Sequence, residues 1–168
     1  RSLNVYDREF RDAKLAFIDQ DQADKLSNVV VEEGDVLLNI TGASVARCCV
    51  APAEHLPARV NQHVSIIRTL PGTSIPSFLN QLLTSKEYKD QLLGIGNKGG
   101  ATRQAITKAE IQDFKVALPS LPTQQAIVEK LDALSEETKA LEAIYERKQS
   151  ALAELKQSLL QKAFAGEL

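Results

Sequence analysis

The stretch that decides the architecture is Leu118-Pro-Ser-Leu-Pro122-Thr-Gln-Gln-Ala-Ile127-Val-Glu-Lys-Leu131, which runs on to Ala163-Phe-Ala-Gly166-Glu-Leu168. Pro119 and Pro122 cannot donate backbone hydrogen bonds, and each biases the residue before it away from helix. They mark a boundary. Beyond Pro122 there is no proline, and no glycine until Gly166. Thr123 suits an N-cap and Gly166 a C-terminal stop. Between them, seam positions recur at alternating steps of four and three. One set is Ile127, Leu134, Leu141, Lys148 and Leu155, and the other is Leu131, Thr138, Tyr145, Leu152 and Leu159. Seven of these ten are aliphatic and one is Tyr145, with Thr138 and Lys148 as polar interruptions. A 3.5-residue repeat held over about five heptads predicts a helix built for a left-handed coiled coil. At ~1.5 Å per residue, some 40 residues span roughly 60 Å, more than a domain of ~120 residues needs for its own core. The seam therefore asks for a partner helix, from a second copy or from another part of the same polypeptide.

Upstream of the boundary the pattern is mixed. Val29–Val31, Val36–Ile40, Val45–Val50 and Val64–Arg68 read as strands, with a turn at Glu32-Glu-Gly34-Asp35 and a small-residue bend at Thr41-Gly-Ala-Ser44. From Pro76 the period turns helical, with Phe78, Leu79, Leu82, Leu83 and Tyr88 on one face and Gly94 beyond the end. Thr107 lies three residues before Glu110, the spacing of a capping box, and predicts a short helix to Asp113. Phe114–Leu118 reads as a last strand. The expected fold class is α+β, a strand-rich domain over residues 1–121 followed by one long coiled-coil α-helix over 122–168.

Composition narrows the function classes. The 168 residues carry 20 Lys and Arg against 22 Asp and Glu. This net of −2 excludes a histone-like cationic binder but leaves room for a local patch. No apolar run approaches the ~18–20 residues of a membrane span, and the opening Arg1-Ser-Leu-Asn4 is not a secretory leader. The adjacent Cys48 and Cys49 fit no zinc or redox spacing and read as reduced thiols in a strand, which predicts a cytoplasmic protein. Gly94-Ile-Gly-Asn-Lys-Gly99 matches Gly-x-Gly-x-x-Gly, but a helix rather than a strand precedes it, so a dinucleotide site is excluded on context. His55 and His63 join no ligand cluster, and structural roles are expected for both. Nowhere do an acid, a base and a nucleophile fall into a recognised spacing, so no catalysis is expected.

Charge is distributed unevenly. Residues 1–35 hold five cations against nine anions, 36–122 hold nine against five, and 123–168 hold six against eight. The middle surplus includes Arg47, Arg68, Lys98, Arg103 and Lys108. The run Gly96-Asn-Lys98-Gly-Gly-Ala-Thr102-Arg103-Gln104 combines glycines, which admit close backbone approach, with groups that read bases: Arg for guanine, Gln or Asn for adenine.

These residues together resemble the DNA specificity subunit of type I restriction-modification systems, over nearly the whole chain. Gly34-Asp-Val-Leu-Leu-Asn-Ile-Thr-Gly-Ala-Ser44 and Asn61-Gln-His-Val64 resemble the core of a target recognition domain. Gly99-Gly-Ala-Thr-Arg-Gln104-Ala-Ile-Thr107 resembles its late loop. Leu118–Val128 with the closing Leu159–Leu168 resembles the spacer helix and its lead-in. The resemblance implies that the domain reads one half of a split double-stranded DNA target, and that two spacer helices pack antiparallel as a ruler. It also implies docked methyltransferase subunits that modify adenine with S-adenosylmethionine, and a separate restriction and translocase subunit driven by ATP and Mg2+. This chain itself would hold no cofactor or metal. It contains one domain and one helix where the full pattern has two of each, and it starts inside the usual pattern. It is therefore expected to be a half-subunit or fragment, incomplete at its N-terminus, that pairs as a homodimer or with a second half-subunit. Lys98, Arg103, Gln104, Ser44, Arg47 and Lys108 are the expected DNA contacts. Ile127, Leu131, Leu134, Leu141, Tyr145, Leu152, Leu155 and Leu159 are the expected helix-pairing residues. The competing reading is a non-catalytic coiled-coil interaction module that reads no DNA.

Overall fold

The computed structural model describes residues 1–97 and 105–167. In chain order its elements are β1 (Val5–Tyr6), β2 (Glu9–Phe10), α1 (Gln20–Lys25), β3 (Val30–Val31), β4 (Val36–Asn39), β5 (Cys48–Val50), β6 (Ala58–Arg59), β7 (Val64–Ile67), α2 (Pro76–Thr84), α3 (Lys86–Asn97), α4 (Lys108–Asp113) and α5 (Leu121–Ala165). This is the expected α+β arrangement, a strand-rich unit followed by a long C-terminal helix. The first compact unit is Arg1–Val128 and the second is Glu129–Leu168.

The first unit is organised by β4, the centre of an antiparallel sheet with β5 and β7 on its two sides. Val36-Leu-Leu-Asn39 is buried throughout, as the short apolar run Val36–Leu38 in a central strand should be, and Asn39 is buried with it. Side chains alternate across the pleat, so β4 feeds two cores. Val36 and Leu38 face Leu79, Leu83 and Leu92 of the helices, with Cys48 beside them. Leu37 faces Val5, Val31, Val60 and Val64, with Cys49. The register pairs Leu38 with Cys48 and Leu37 with Cys49, so the two adjacent thiols lie on opposite faces of the sheet. Both are free and buried, which pushes each thiol up to about 12.

Several expected elements differ. Val45–Val50 is strand only from Cys48, because Gly42 at φ +77° and Ala46 at φ +65° curl the preceding residues into a bend. Left-handed backbone at an alanine cannot continue a strand. The helix from Pro76 breaks at Ser85, whose extended backbone ends α2 and whose carbonyl accepts from Lys89 N. The second helix, α3, then runs through Gly94 instead of ending before it. The capping box of Thr107 and Glu110 forms as expected. Phe114–Leu118 is not a strand. Its Ala117 N–H donates to the Tyr88 hydroxyl at 3.0 Å, so no neighbouring strand takes up that group. Helix α5 begins at Leu121, two residues before the expected Thr123 cap. Pro122 sits in the first turn, where a missing N–H removes no helical bond. Gln124 N instead donates to Ser120 O at 2.9 Å. At the other end Gly166 (φ +74°) forms the expected stop, with Gly166 N bonded to Ala163 O and Glu167 N to Lys162 O.

Candidate nucleic-acid interface

Where β4 ends, the chain turns through Thr41–Arg47, and three side chains fix that bend. Asn39 is fully buried, and its amide donates to Ser2 O at 2.9 Å and to Ser44 Oγ at 3.1 Å. One side chain thus ties the N-terminal segment to the bend. Thr41 Oγ1 lies 2.7 Å from His63 Nδ1, which ties the bend to the start of β7. The result is a shallow cleft of about 470 Å³, lined by the bend, His63, Ser2, Leu3 and Tyr6.

Arg47 lies across this cleft, its guanidinium carbon 4.9 Å from the Tyr6 ring centroid. Arg11 also stacks on Tyr6, at 3.8 Å, but Arg11 is neutralised by Glu9 at 2.8 Å. That contact holds the Glu9 carboxyl below its ordinary range. Among the described residues Arg47 forms no ion pair and no carboxylate lines the cleft. Other cations of the middle surplus are committed elsewhere. Arg68 grips the buried Asp35 with Nε to Oδ1 at 2.7 Å and Nη2 to Oδ2 at 2.8 Å, and reaches Glu32 at 2.6 Å. Lys89 pairs with Asp7, and Lys86 with Asp90. A second hollow, between α3 and α4, is lined by Glu110 and Asp113 as well as Lys115, a charge mixture that does not favour a phosphate.

Of the expected DNA contacts, Ser44 and Arg47 line the same cleft. Lys108 is exposed at the first residue of α4 and does not line it. Lys98, Arg103 and Gln104 lie outside the described residues. The described chain resumes at Ala105, which pairs antiparallel with Thr41 at the cleft, and Ile106 N donates to Ile40 O at 2.8 Å. The expected helix-pairing residues are all exposed on α5, Leu134 at 57% and Leu152 at 66% among them. Sequence reasoning missed Tyr6, Ser2 and Asn39. No periodic signal marks them, because they meet the bend only through the fold. His63 was expected to be structural; it bonds Thr41 and also lines the cleft. Among the described residues no three His, Cys, Asp or Glu side chains group to hold a metal, and no helix is long and apolar enough to cross a membrane.

Comparison with known proteins gives the same placement. Residues 5–150 match the family described as type I restriction modification DNA specificity domain. No curated protein matches in sequence. A solved chain from work on the structural basis of complex assembly and conformational transition of the type I R-M system is 28% identical, with a TM-score of 0.65. That alignment covers 83% of this chain and 33% of the other. The HsdS subunit from Thermoanaerobacter tengcongensis shares the fold at a TM-score of 0.58 and 24% identity, covering 67% of this chain and 28% of the other. The chain thus spans about a third of the length of the structures it matches. With the family matched across the cleft, both cores and much of α5, the chain belongs to the type I restriction-modification DNA specificity domains.

Proposed function

We propose that this chain is the DNA-recognition part of a type I restriction-modification enzyme, with Arg1–Val128 reading one half of a bipartite target. The observation that carries this reading is the single family match over residues 5–150, which takes in most of the cleft and most of the apolar-striped helix. Ser44 and Arg47, with Lys98, Arg103, Gln104 and Lys108, supply its DNA contacts. Helix α5 pairs antiparallel with an equivalent helix, from a second copy or a second half-subunit. The paired assembly docks the methyltransferase subunits and, through them, the restriction and translocase subunit. S-adenosylmethionine, ATP and Mg2+ belong to those partners, and this chain does no chemistry. If two copies pair by a two-fold axis, the target is a palindrome interrupted by a fixed spacer.

The test is co-expression with the methyltransferase subunit encoded beside this chain, followed by mapping of N6-methyladenine across the host DNA. Methylation confined to one interrupted motif is expected. An intact complex with no sequence-confined methylation would overturn the reading function of the first unit. The exposed stripe on α5 favours a second reading, a pure interaction module. That reading gains if the chain binds protein partners but shows no salt-dependent affinity for duplex DNA.

A further inference from the structure

We propose that Arg47, placed over the Tyr6 ring, is a specificity-determining residue that reads a guanine of the half-site, and that Tyr6 is its positioning residue. The inference rests on the DNA-reading function above and names the base class that the cleft takes.

Three observations point to it. First, the Arg47 guanidinium stacks on Tyr6, with its carbon 4.9 Å from the centroid, and no hydrogen bond or ion pair ties it among the described residues. A guanidinium placed over a ring with no ion pair among the described residues keeps N–H donors available to a ligand. That planar fork matches the O6 and N7 acceptors of guanine. Second, Arg47 lines the cleft beside the small or hydroxyl-bearing Ser2, Thr41, Gly42, Ala43 and Ser44, with Leu3 and His63 as well. Small residues admit a base edge closely, and hydroxyls can pair with it. Third, the support is rigid. Ser44 is fixed by buried Asn39, Thr41 by His63, and Tyr6 pairs with Glu9 in a hairpin whose Arg8 N–H bonds Cys48 O at 2.9 Å. A fork held before binding loses less side-chain entropy on contact.

The test uses the assembled complex with its methyltransferase partner and a panel of duplexes in which each base pair of the methylated motif is changed in turn. If the wild-type complex discriminates no sequence, the DNA-reading function fails and this proposal falls with it. If it discriminates, the variants decide the proposal alone. Arg47→Ala is expected to weaken binding to the natural motif about 10- to 100-fold and to make one G·C position indifferent while the others keep their preference. Arg47→Lys, which keeps the charge, is expected to lose the same preference with its salt slope unchanged. Replacing that guanine by 7-deazaguanine should weaken the wild type and leave Arg47→Ala unaffected. Tyr6→Leu should lower the preference at that same position, and Tyr6→Phe, which keeps the ring, should restore it. Equal loss on every duplex with a salt slope lower by about one would make Arg47 a phosphate contact and overturn the proposal. An unchanged preference in Arg47→Ala would overturn it as well.

Discussion

Cys48 and Cys49 show how a sequence neighbour can have an opposite environment. One faces the helix-side core with its Sγ 3.3 Å from Asn80 Oδ1, and the other faces Leu37 and Val64. Burial pushes both thiols from about 9 up to about 12, with the Asp7 carboxylate adding to the effect at Cys48. The sign for stability follows. Below pH 9 folded and unfolded chains both keep these protons, and the contribution is fully present. Between 9 and 12 the unfolded chain releases protons that the folded one holds, so stability falls with rising pH, by up to about 1.4 kcal/mol per pH unit for each thiol. Urea unfolding at pH 8, 9 and 10 should show this decline, and the Cys48→Ala/Cys49→Ala double variant should decline less steeply from a lower start. A thiol reagent should label neither cysteine at pH 8 until urea unfolds the chain. Rapid labelling in the native state would contradict the burial. At this scale the sequence was legible where chemistry is local: two cysteines in an apolar run read correctly as strand thiols. Tyr6 was not legible, because its value lies in Arg11 and Arg47, which the fold brings to one ring.

Elements were legible where a capping or pairing signal is contiguous. Thr107-x-x-Glu110 announced α4, and the Val36–Asn39 run announced the central strand. The same capping geometry at Asp19 and Gln22 sets α1, without an apolar stripe to draw attention to it. The failures have two causes. Val45–Val50 loses its first half to the left-handed backbone at Ala46, while Phe114–Leu118 has strand-like composition, and whether such a segment pairs depends on a neighbour the sequence does not display. The foot of α5 depends on a side chain of the same non-local kind. Gln124 is fully buried: its Oε1 accepts from Ile75 N at 2.9 Å, and its Nε2 donates to Thr73 O at 3.1 Å and Pro119 O at 2.8 Å. It clasps the loop before α2 to the lead-in of α5 within the first unit. Gln124→Ala leaves one N–H and two carbonyls short of a partner and should lower stability by about 2–4 kcal/mol. Gln124→Glu keeps the shape but turns a carboxylate toward two carbonyl oxygens, and should cost at least as much at neutral pH. Chemical denaturation of both variants checks this, and a loss below about 0.5 kcal/mol in both would show that the clasp is dispensable.

For the whole molecule the question is what covers the second unit. The second unit is the part of α5 from Glu129 to Ala165 with a short C-terminal end, and a lone helix has no core of its own. Its stripe of Leu131, Leu134, Leu141, Tyr145, Leu152, Leu155 and Leu159 is exposed along its length. Burying a leucine side chain is worth about 1.5–3 kcal/mol, so a matched helix on this stripe gains several such increments at once. The polar interruptions fit a pairing seam. Thr138 bonds Leu134 O in its own helix at 2.8 Å, and Lys148 has its ammonium 5.5 Å from the Tyr145 ring, so each is accommodated without a partner and none blocks one. Leu141→Lys or Leu152→Lys places a charge where two seams would meet, and is expected to convert the associated chain to monomer in gel filtration with light scattering. Far-ultraviolet circular dichroism should then show helix lost along with association, because a lone helix is marginal in water. The first unit should keep its unfolding transition, since neither substitution lies within Arg1–Val128. An oligomeric state unchanged by either substitution would mean that the stripe is not the seam. A monomeric wild type whose association appears only with the methyltransferase partner, and is lost in Leu141→Lys, would assign the stripe to that subunit rather than to a second copy.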